Sequence, residues 1–415
     1  MVNVAEIAKK SAEAALVLGA YSSEQKNKML TLIAEAIKAD EAAILAANAV
    51  DVKAAEGVKD KTFIDRLSLT AKRVDDMCAG VLQVVALPDP VGEIVESWVS
   101  PVNGLYIEKM RAPLGVIAII YEARPNVTAD AAALCIKSGN AVILRGSKDA
   151  INSNRAIYLS MRGALERGGF NADAVAFIDD ADRASTGELL KQDRYVDLVI
   201  PRGGEGLKHY VIDNSKIPVI ASAGGNCHVY VEASADLEMA KRIVYNAKLQ
   251  RPSVCNAAES LLADEKIAAA FLPDCLSYLD GHGVEIVGCE KTRALFPKAG
   301  IADETEYAAE YENYKISVKV VSGVYEAIDH INKYSTKHSD AIVTSDKAAA
   351  AAFTRRVDSA AVYVNASTRF TDGFEFGFGA EMGISTGKLQ ARGPLGLREL
   401  TSQRYICTGN GNIRE

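Results

Sequence analysis

Gly115-Val-Ile-Ala-Ile-Ile120 is a short, unbroken apolar run rich in β-branched residues, and an amphipathic stretch from Thr128 to Lys137 follows it. The same pairing returns along the chain. Ala141-Val-Ile-Leu144 precedes Asn152 to Arg167, Ala174-Val-Ala-Phe-Ile178 precedes Thr186 to Lys191, and Val196-Asp-Leu-Val-Ile200 precedes Glu205 to Asp213, with Pro218-Val-Ile-Ala221 closing the series. Continuous apolar runs of this length read as strands buried on both faces, and the helical segments between them read as crossovers. The pattern predicts βαβ units and a parallel sheet. A second alternation of the same kind runs from Val229 to about Val364, so two α/β domains are expected.

Outward from this core the texture changes. The residues before Leu87 are Ala-rich and read as helical, with Ser22 and Gln25 placed as a capping box ahead of Met29, Leu32, Ile33, Ala36 and Ile37. Leu87-Pro-Asp-Pro90 breaks that pattern. Beyond it, Asn103-Gly104 between Val102 and Leu105-Tyr106-Ile107 signals a β-hairpin within Trp98 to Met110. The tail after Asn365 is rich in glycine and phenylalanine. A length of 415 residues, at about 150 residues per domain, suits two or three domains.

Composition excludes several classes of function. Apolar residues at 49% and charged residues at 24% describe a globular chain, not a disordered one. A net charge of -7 without a long block of either sign argues against a nucleic-acid partner, which needs a basic face. No apolar run approaches the roughly 18 residues that span a bilayer, and Met1 to Lys10 lacks the succession of a signal peptide. Seven cysteines without a CxxC pair fit reduced thiols in the cytoplasm. Five histidines, none at HExxH spacing, give no support to a metal centre.

Three stretches carry candidate chemistry. Tyr121-Glu-Ala-Arg-Pro-Asn-Val127 lies between a strand and a helix, where parallel sheets bind ligands. Asn126 there would either donate its amide to an oxyanion or simply cap the helix. Pro201-Arg-Gly-Gly-Glu-Gly-Leu207 is a glycine-rich turn that would either approach a phosphate or make a tight strand-to-helix connection. Gln250-Arg-Pro-Ser-Val-Cys-Asn-Ala-Ala-Glu259 places Cys255 in a polar loop, and a thiolate is the best common nucleophile near neutral pH. Cys78, Cys135 and Cys275 fall in apolar helical patterns and read as small core residues. Cys227 adjoins His228, but neighbours on a strand face opposite ways.

Together these stretches resemble the aldehyde dehydrogenase superfamily, and within it the branch that reduces an acyl phosphate. The resemblance spans essentially the whole chain. Its most specific pieces are Ala112-Pro-Leu-Gly-Val116, Glu122-Ala-Arg-Pro-Asn-Val-Thr128, Arg251-Pro-Ser-Val-Cys-Asn256, Ala327-Ile-Asp-His-Ile331, Ser335-Thr-Lys-His-Ser-Asp340 and Gly387 to Leu400. It implies two Rossmann-like parallel-sheet α/β domains plus an oligomerisation flap made of the hairpin and the C-terminal tail. The implied bounds are 1–226 for cofactor binding, with the hairpin at about 98–112, 227–368 for catalysis and 369–415 for the returning tail.

The same resemblance assigns roles. Cys255 stands where the family keeps its nucleophile and Asn126 where it keeps the oxyanion amide. Oxidising members carry a glutamate before a Leu-Gly-Gly stretch, and it activates hydrolytic water. The matching stretch here, Ser222-Ala-Gly-Gly-Asn226, holds no carboxylate, as a reductive enzyme requires. Ile143-Leu-Arg-Gly-Ser-Lys-Asp149 meets the adenosine ribose in the family. Arg145, Ser147 and Lys148 would there favour the 2′-phosphate of NADPH over a carboxylate-guarded NAD site. Gly203, Gly204 and Gly206 would underlie the pyrophosphate, with Glu312 and Tyr314 on the nicotinamide ribose. The implied substrate is L-glutamyl 5-phosphate, with Arg124 and Arg251 on its phosphate and Lys388 or Arg392 on its α-carboxylate. A homodimer or tetramer is expected, as is a transient complex with a separate glutamate 5-kinase. His330 and His338 lie in the resembling stretches without an assigned role.

Overall fold

The computed structural model describes residues 2–221 and 224–414. The chain forms two compact units, Met1–Ala221 with Gly377–Met382 and Leu395–Glu415, and Ser222–Phe376 with Gly383–Pro394. The division falls after Ala221, not after residue 226, and the tail contributes to both units instead of returning once at 369.

In the first unit, helices Val4–Leu18, Ser23–Ala39, Glu41–Ala55, Lys61–Leu67 and Ala71–Ala86 come first. The capping box forms: Gln25 N–H donates to Ser22 Oγ at 3.2 Å and Ser22 N–H donates to Gln25 Oε1 at 2.9 Å. A parallel sheet follows, in the spatial order Val175–Phe177, Ala141–Arg145, Val116–Tyr121, Leu198–Arg202. Every residue of Val116–Tyr121 is buried, which is why that run carries no polar alternation. The expected strand at Pro218-Val-Ile-Ala221 does not form. Val219 makes one isolated bridge to Val199, and Pro218 has no N–H with which to extend the pairing.

The hairpin forms from Ile94–Val99 and Tyr106–Pro113, antiparallel. Its turn is wider than a two-residue Asn-Gly connection. Ser100 N–H donates to Leu105 O at 2.8 Å, Asn103 Oδ1 accepts from Leu105 N–H at 3.1 Å, and Gly104 takes φ +74°. Thr401–Thr408 adds a third antiparallel strand on the other edge of Tyr106–Pro113.

The second unit holds a seven-stranded parallel sheet. Its order is Gly300–Ile301, Glu285–Gly288, Lys315–Val321, Ala258–Asp264, Cys227–Val231, Ser339–Val343, Ala361–Val364. Helices Leu237–Leu249 and Glu265–Gly281 pack on it through Val244, Phe271, Leu272 and Leu276 against Val229, Leu261 and Val318. Asp236 and Asp264 cap them, accepting from Met239 N–H and Lys266 N–H. A small hairpin, Ile384–Ser385 with Gly393–Pro394, completes this unit. Among the described residues no helix is long and apolar enough to cross a membrane.

Candidate active site

The loop that carries Cys255 runs from the end of helix Leu237–Leu249 to the start of strand Ala258–Asp264, and it is fastened from several sides. Cys255 is partly buried within it. The carbonyl of Cys255 accepts from the Cys227 thiol at 3.1 Å. A Cβ on Gly225 would lie 1.4 Å from that same carbonyl oxygen, so only glycine lets the two backbones meet. Gly225 N–H donates to the Glu310 carboxylate. Asn256 Nδ2 donates to the carbonyls of Arg369 at 3.2 Å and Thr371 at 3.0 Å, and Thr368 Oγ1 donates to Asn256 O at 2.7 Å.

Burial separates Cys135, Cys227 and Cys275 from Cys255. Desolvation raises Cys135 and Cys227 far above the ordinary thiol range and pushes Cys275 up to about 12. Cys289 behaves differently. Burial pushes its thiol up, but hydrogen bonds from Thr292 and the backbone N–H groups of Val320, Thr292 and Lys291 hold it below its ordinary value. Among the described residues no disulfide forms.

An ion pair lies beneath the loop. Lys248 Nζ meets Glu259 Oε2 at 2.7 Å with both side chains excluded from solvent. Glu259 Oε1 also accepts from Glu312 N–H at 3.1 Å, which secures Glu312 in the left-handed region at φ +49°. Glu312 and Tyr314 themselves are exposed. His338 is buried, with Nδ1 2.8 Å from Ser339 Oγ and 3.9 Å from Cys227 Sγ. His330 packs against Tyr307, Tyr334 and His228, and burial drives it down to about 2. That burial favours the neutral imidazole, packed among these rings.

The basic pair of the tail has a protein partner. Lys388 and Arg392 reach Asp358 at 2.7 and 2.8 Å, and Lys337 reaches it at 3.3 Å. Hydrogen bonds from Lys388 and Arg392 hold Asp358 far below the carboxylate range. Arg251 is exposed at the start of the loop that carries Cys255.

In the first unit, Asn126 precedes helix Val127–Lys137 but its side chain does not cap it. The capping alternative is set aside. Asn126 Nδ2 donates instead to Asp130 Oδ2 at 2.8 Å, and burial raises Asp130 to about 6 against the pull of Asn126 and Arg202. Arg124 is exposed in the preceding turn. The glycine-rich turn is held by a side chain: Gly204 N–H donates to Glu122 Oε2 at 2.9 Å, and a Cβ on Gly203 would lie 2.6 Å from the Glu122 carboxyl carbon. Gly204 caps the helix Glu205–Asn214 that follows, and Gly206 lies in its first turn.

The stretch expected to meet the adenosine ribose places its two cations differently. Arg145 is buried, and its Nη1 and Nη2 donate to the carbonyls of Gly146 at 2.8 Å and Asp182 at 2.9 Å. Its charge braces the loop and is not presented outward. Lys148 is exposed, and Ser147 Oγ beside it is buried with no partner among the described residues. That orphaned hydroxyl and the neighbouring ammonium fit a phosphorylated ribose.

The aldehyde dehydrogenase family model matches residues 2–284. A parallel-sheet fold with a cysteine fastened in a strand-entry loop agrees with it, and the chain belongs to the aldehyde dehydrogenase family, whose members use a nicotinamide cofactor. Within it, the chain falls among the gamma-glutamyl phosphate reductases. It is 52% identical over 407 residues to the gamma-glutamyl phosphate reductase of Heliobacterium modesticaldum, with 98% of this chain and 97% of the relative covered. The one from Carboxydothermus hydrogenoformans is 53% identical over 415 residues, with both chains covered in full. The crystal structure of gamma-glutamyl phosphate reductase from Thermotoga maritima matches with a TM-score of 0.98 at 48% identity, again over all of both chains.

Sequence reasoning missed Glu310, Arg369, Asp130 and the Lys248–Glu259 pair. Arg369 and Asn256 lie 113 residues apart, and no local signal joins them.

Proposed function

We propose that this protein reduces L-glutamyl 5-phosphate to L-glutamate 5-semialdehyde with release of phosphate, using NADPH, as the second step of proline biosynthesis from glutamate. Full-length identity near one half to gamma-glutamyl phosphate reductases carries this reading. Cys255 attacks the acyl phosphate, phosphate departs, and a thioester remains. Asn126 is the amide assigned to the tetrahedral oxyanion, and Asp130 fixes which end of that amide is the donor. When bound, NADPH supplies the hydride that takes the thioester to the aldehyde. Arg124 and Arg251 are assigned to the phosphate. The α-carboxylate would have to compete with Asp358 for Lys388 or Arg392.

The acyl phosphate comes from a carboxylate kinase, here a separate glutamate 5-kinase in the cytoplasm. Exposed Val95, Val99, Tyr106 and Tyr405 on the three-stranded sheet support its use in a homo-oligomer.

The test runs the reaction backwards. Semialdehyde and NADP should give steady NADPH formation only with phosphate or arsenate, and at most one turnover per site without them. Water would need a general base, an effect typically worth 10²–10⁴-fold, whereas phosphate is already an anionic nucleophile. Ser222 and Ala223 of the stretch lacking the hydrolytic glutamate lie outside the described residues. The carboxylate on Gly225 is Glu310, which comes from elsewhere in the chain. Steady release of free glutamate without either anion would overturn this reading and point to that carboxylate as the base.

The cofactor preference rests on Lys148. Lys148→Ala should raise the KM for NADPH about 10- to 100-fold, since a charge-assisted contact contributes roughly 1.5–3 kcal/mol, and leave that for NADH nearly unchanged. Equal losses for both cofactors would remove Lys148 from the 2′-phosphate. Arg145 does not serve for this test, because its removal would strip two backbone carbonyls of their donor.

A further inference from the structure

The nucleophile loop of the second unit is bracketed by an arginine that the proposed mechanism has not used. Residues Thr368–Phe370 form a single 3-10 turn, started by Ser367, whose Oγ accepts from Arg369 N–H at 3.3 Å. Four hydrogen bonds tie this turn and Thr371, which ends it, to both ends of the loop. Three join it to Asn256, next to Cys255, and the fourth runs from Arg369 Nε to Gln250 Oε1 at 2.8 Å. With Nε anchored, the Nη1 and Nη2 edge of the guanidinium makes no hydrogen bond among the described residues.

Charge adds a second observation. Burial and the like charge of Arg251 hold the Arg369 guanidinium below its ordinary value, while Cys255, Asp372 and Cys227 pull the other way. Neither Arg369 nor Arg251 is in an ion pair among the described residues. Two guanidinium groups kept near each other, half-buried in the case of Arg369, carry an electrostatic penalty that a doubly charged anion would relieve. An anion of that charge forms in the proposed reaction at this nucleophile.

We propose that Arg369, with Arg251, binds the phosphate of the acyl-phosphate substrate as it leaves. This rests on the reductase reading above. In that step the Cys255 sulfur–carbon bond forms and the carbon–oxygen bond to phosphate breaks. The leaving oxygen takes the bonding pair, and no redox change occurs. A planar fork beside the thiolate neutralises the departing dianion in the forward direction and captures phosphate in reverse.

The experiment measures initial rates in the reverse direction with varied phosphate. Arg369→Met should raise the phosphate KM about 10- to 100-fold and leave the NADP KM within twofold. The burst of NADPH in the first turnover, which needs no phosphate, should stay near one per site. Arg369→Lys should recover part of the loss, because a point charge attracts phosphate but lacks the fork. Gln250→Ala keeps the charge and removes its anchor, so a smaller rise is expected. A wild-type phosphate KM in Arg369→Met overturns the assignment. If that variant does not fold, an unchanged phosphate KM in both Arg369→Lys and Gln250→Ala overturns it. Phosphate-independent turnover of the unmutated enzyme would sink the reductase reading itself, while phosphate dependence with unaffected variants removes the arginine alone.

Discussion

Cys255→Ala is expected to abolish turnover, by about 10³-fold or more, while the protein stays folded with an unchanged thermal midpoint. Losses of this size follow removal of a covalent nucleophile. The backbone fastening explains why the fold survives. Cys255 is held through its carbonyl and through Asn256, and alanine keeps both. Cys255→Ser should be nearly as inactive, because an unassisted hydroxyl stays protonated near neutral pH. Cys227 cannot substitute, since burial drives its thiol far up and its hydrogen goes to Cys255 O. Cys289, whose thiol is lowered, and Cys407, which is exposed, are the competitors in any labelling experiment. Alkylation is therefore read by peptide mapping in a Cys289→Ser/Cys407→Ser background. Full activity with Cys255 modified would end the covalent mechanism.

The parallel sheets were legible because burial on both faces leaves its mark in sequence. Val116–Tyr121 is apolar throughout since no residue of it meets water. The hairpin was legible through Asn103-Gly104. Strand Thr401–Thr408 was not, because its pairing with Tyr106–Pro113 joins residues more than half the chain apart and most of the strand is solvent-exposed. Cys255 stood out by its place in a polar loop and by resemblance. The destinations of the basic residues were not. Arg145, Lys388 and Lys148 look alike as letters, yet the first braces carbonyls, the second meets Asp358 and the third faces solvent. Where a guanidinium or ammonium points depends on which carbonyl or carboxylate the topology delivers. Glu122 on the glycine turn and Arg369 on the Cys255 loop are further cases of distant chain segments deciding local chemistry.

Lys248→Met should lower stability by about 3–5 kcal/mol at pH 8, the scale for leaving one member of a buried ion pair uncompensated. Lys248 and Glu259 flank the nucleophile loop, so the same change should also loosen Cys255 and reduce kcat. Burial raises Glu259 to about 7, with Lys248 opposing that rise. Without Lys248 the folded-state value climbs further above its unfolded value of 4.5. A carboxyl raised on folding costs nothing while it is protonated in both states. The cost grows once pH passes the unfolded value, because only the unfolded chain then releases its proton. The deficit of Lys248→Met should therefore be smallest near pH 5 and largest near pH 8. Glu259→Gln should slope the other way. It leaves Lys248, already lowered by burial, without its carboxylate, so its deficit should ease as pH rises toward the alkaline range. Thermal midpoints of both variants across pH 5–9 decide the matter. Parallel, flat deficits would mean that the two groups keep their charges regardless of each other, and that the pair is not what holds the loop.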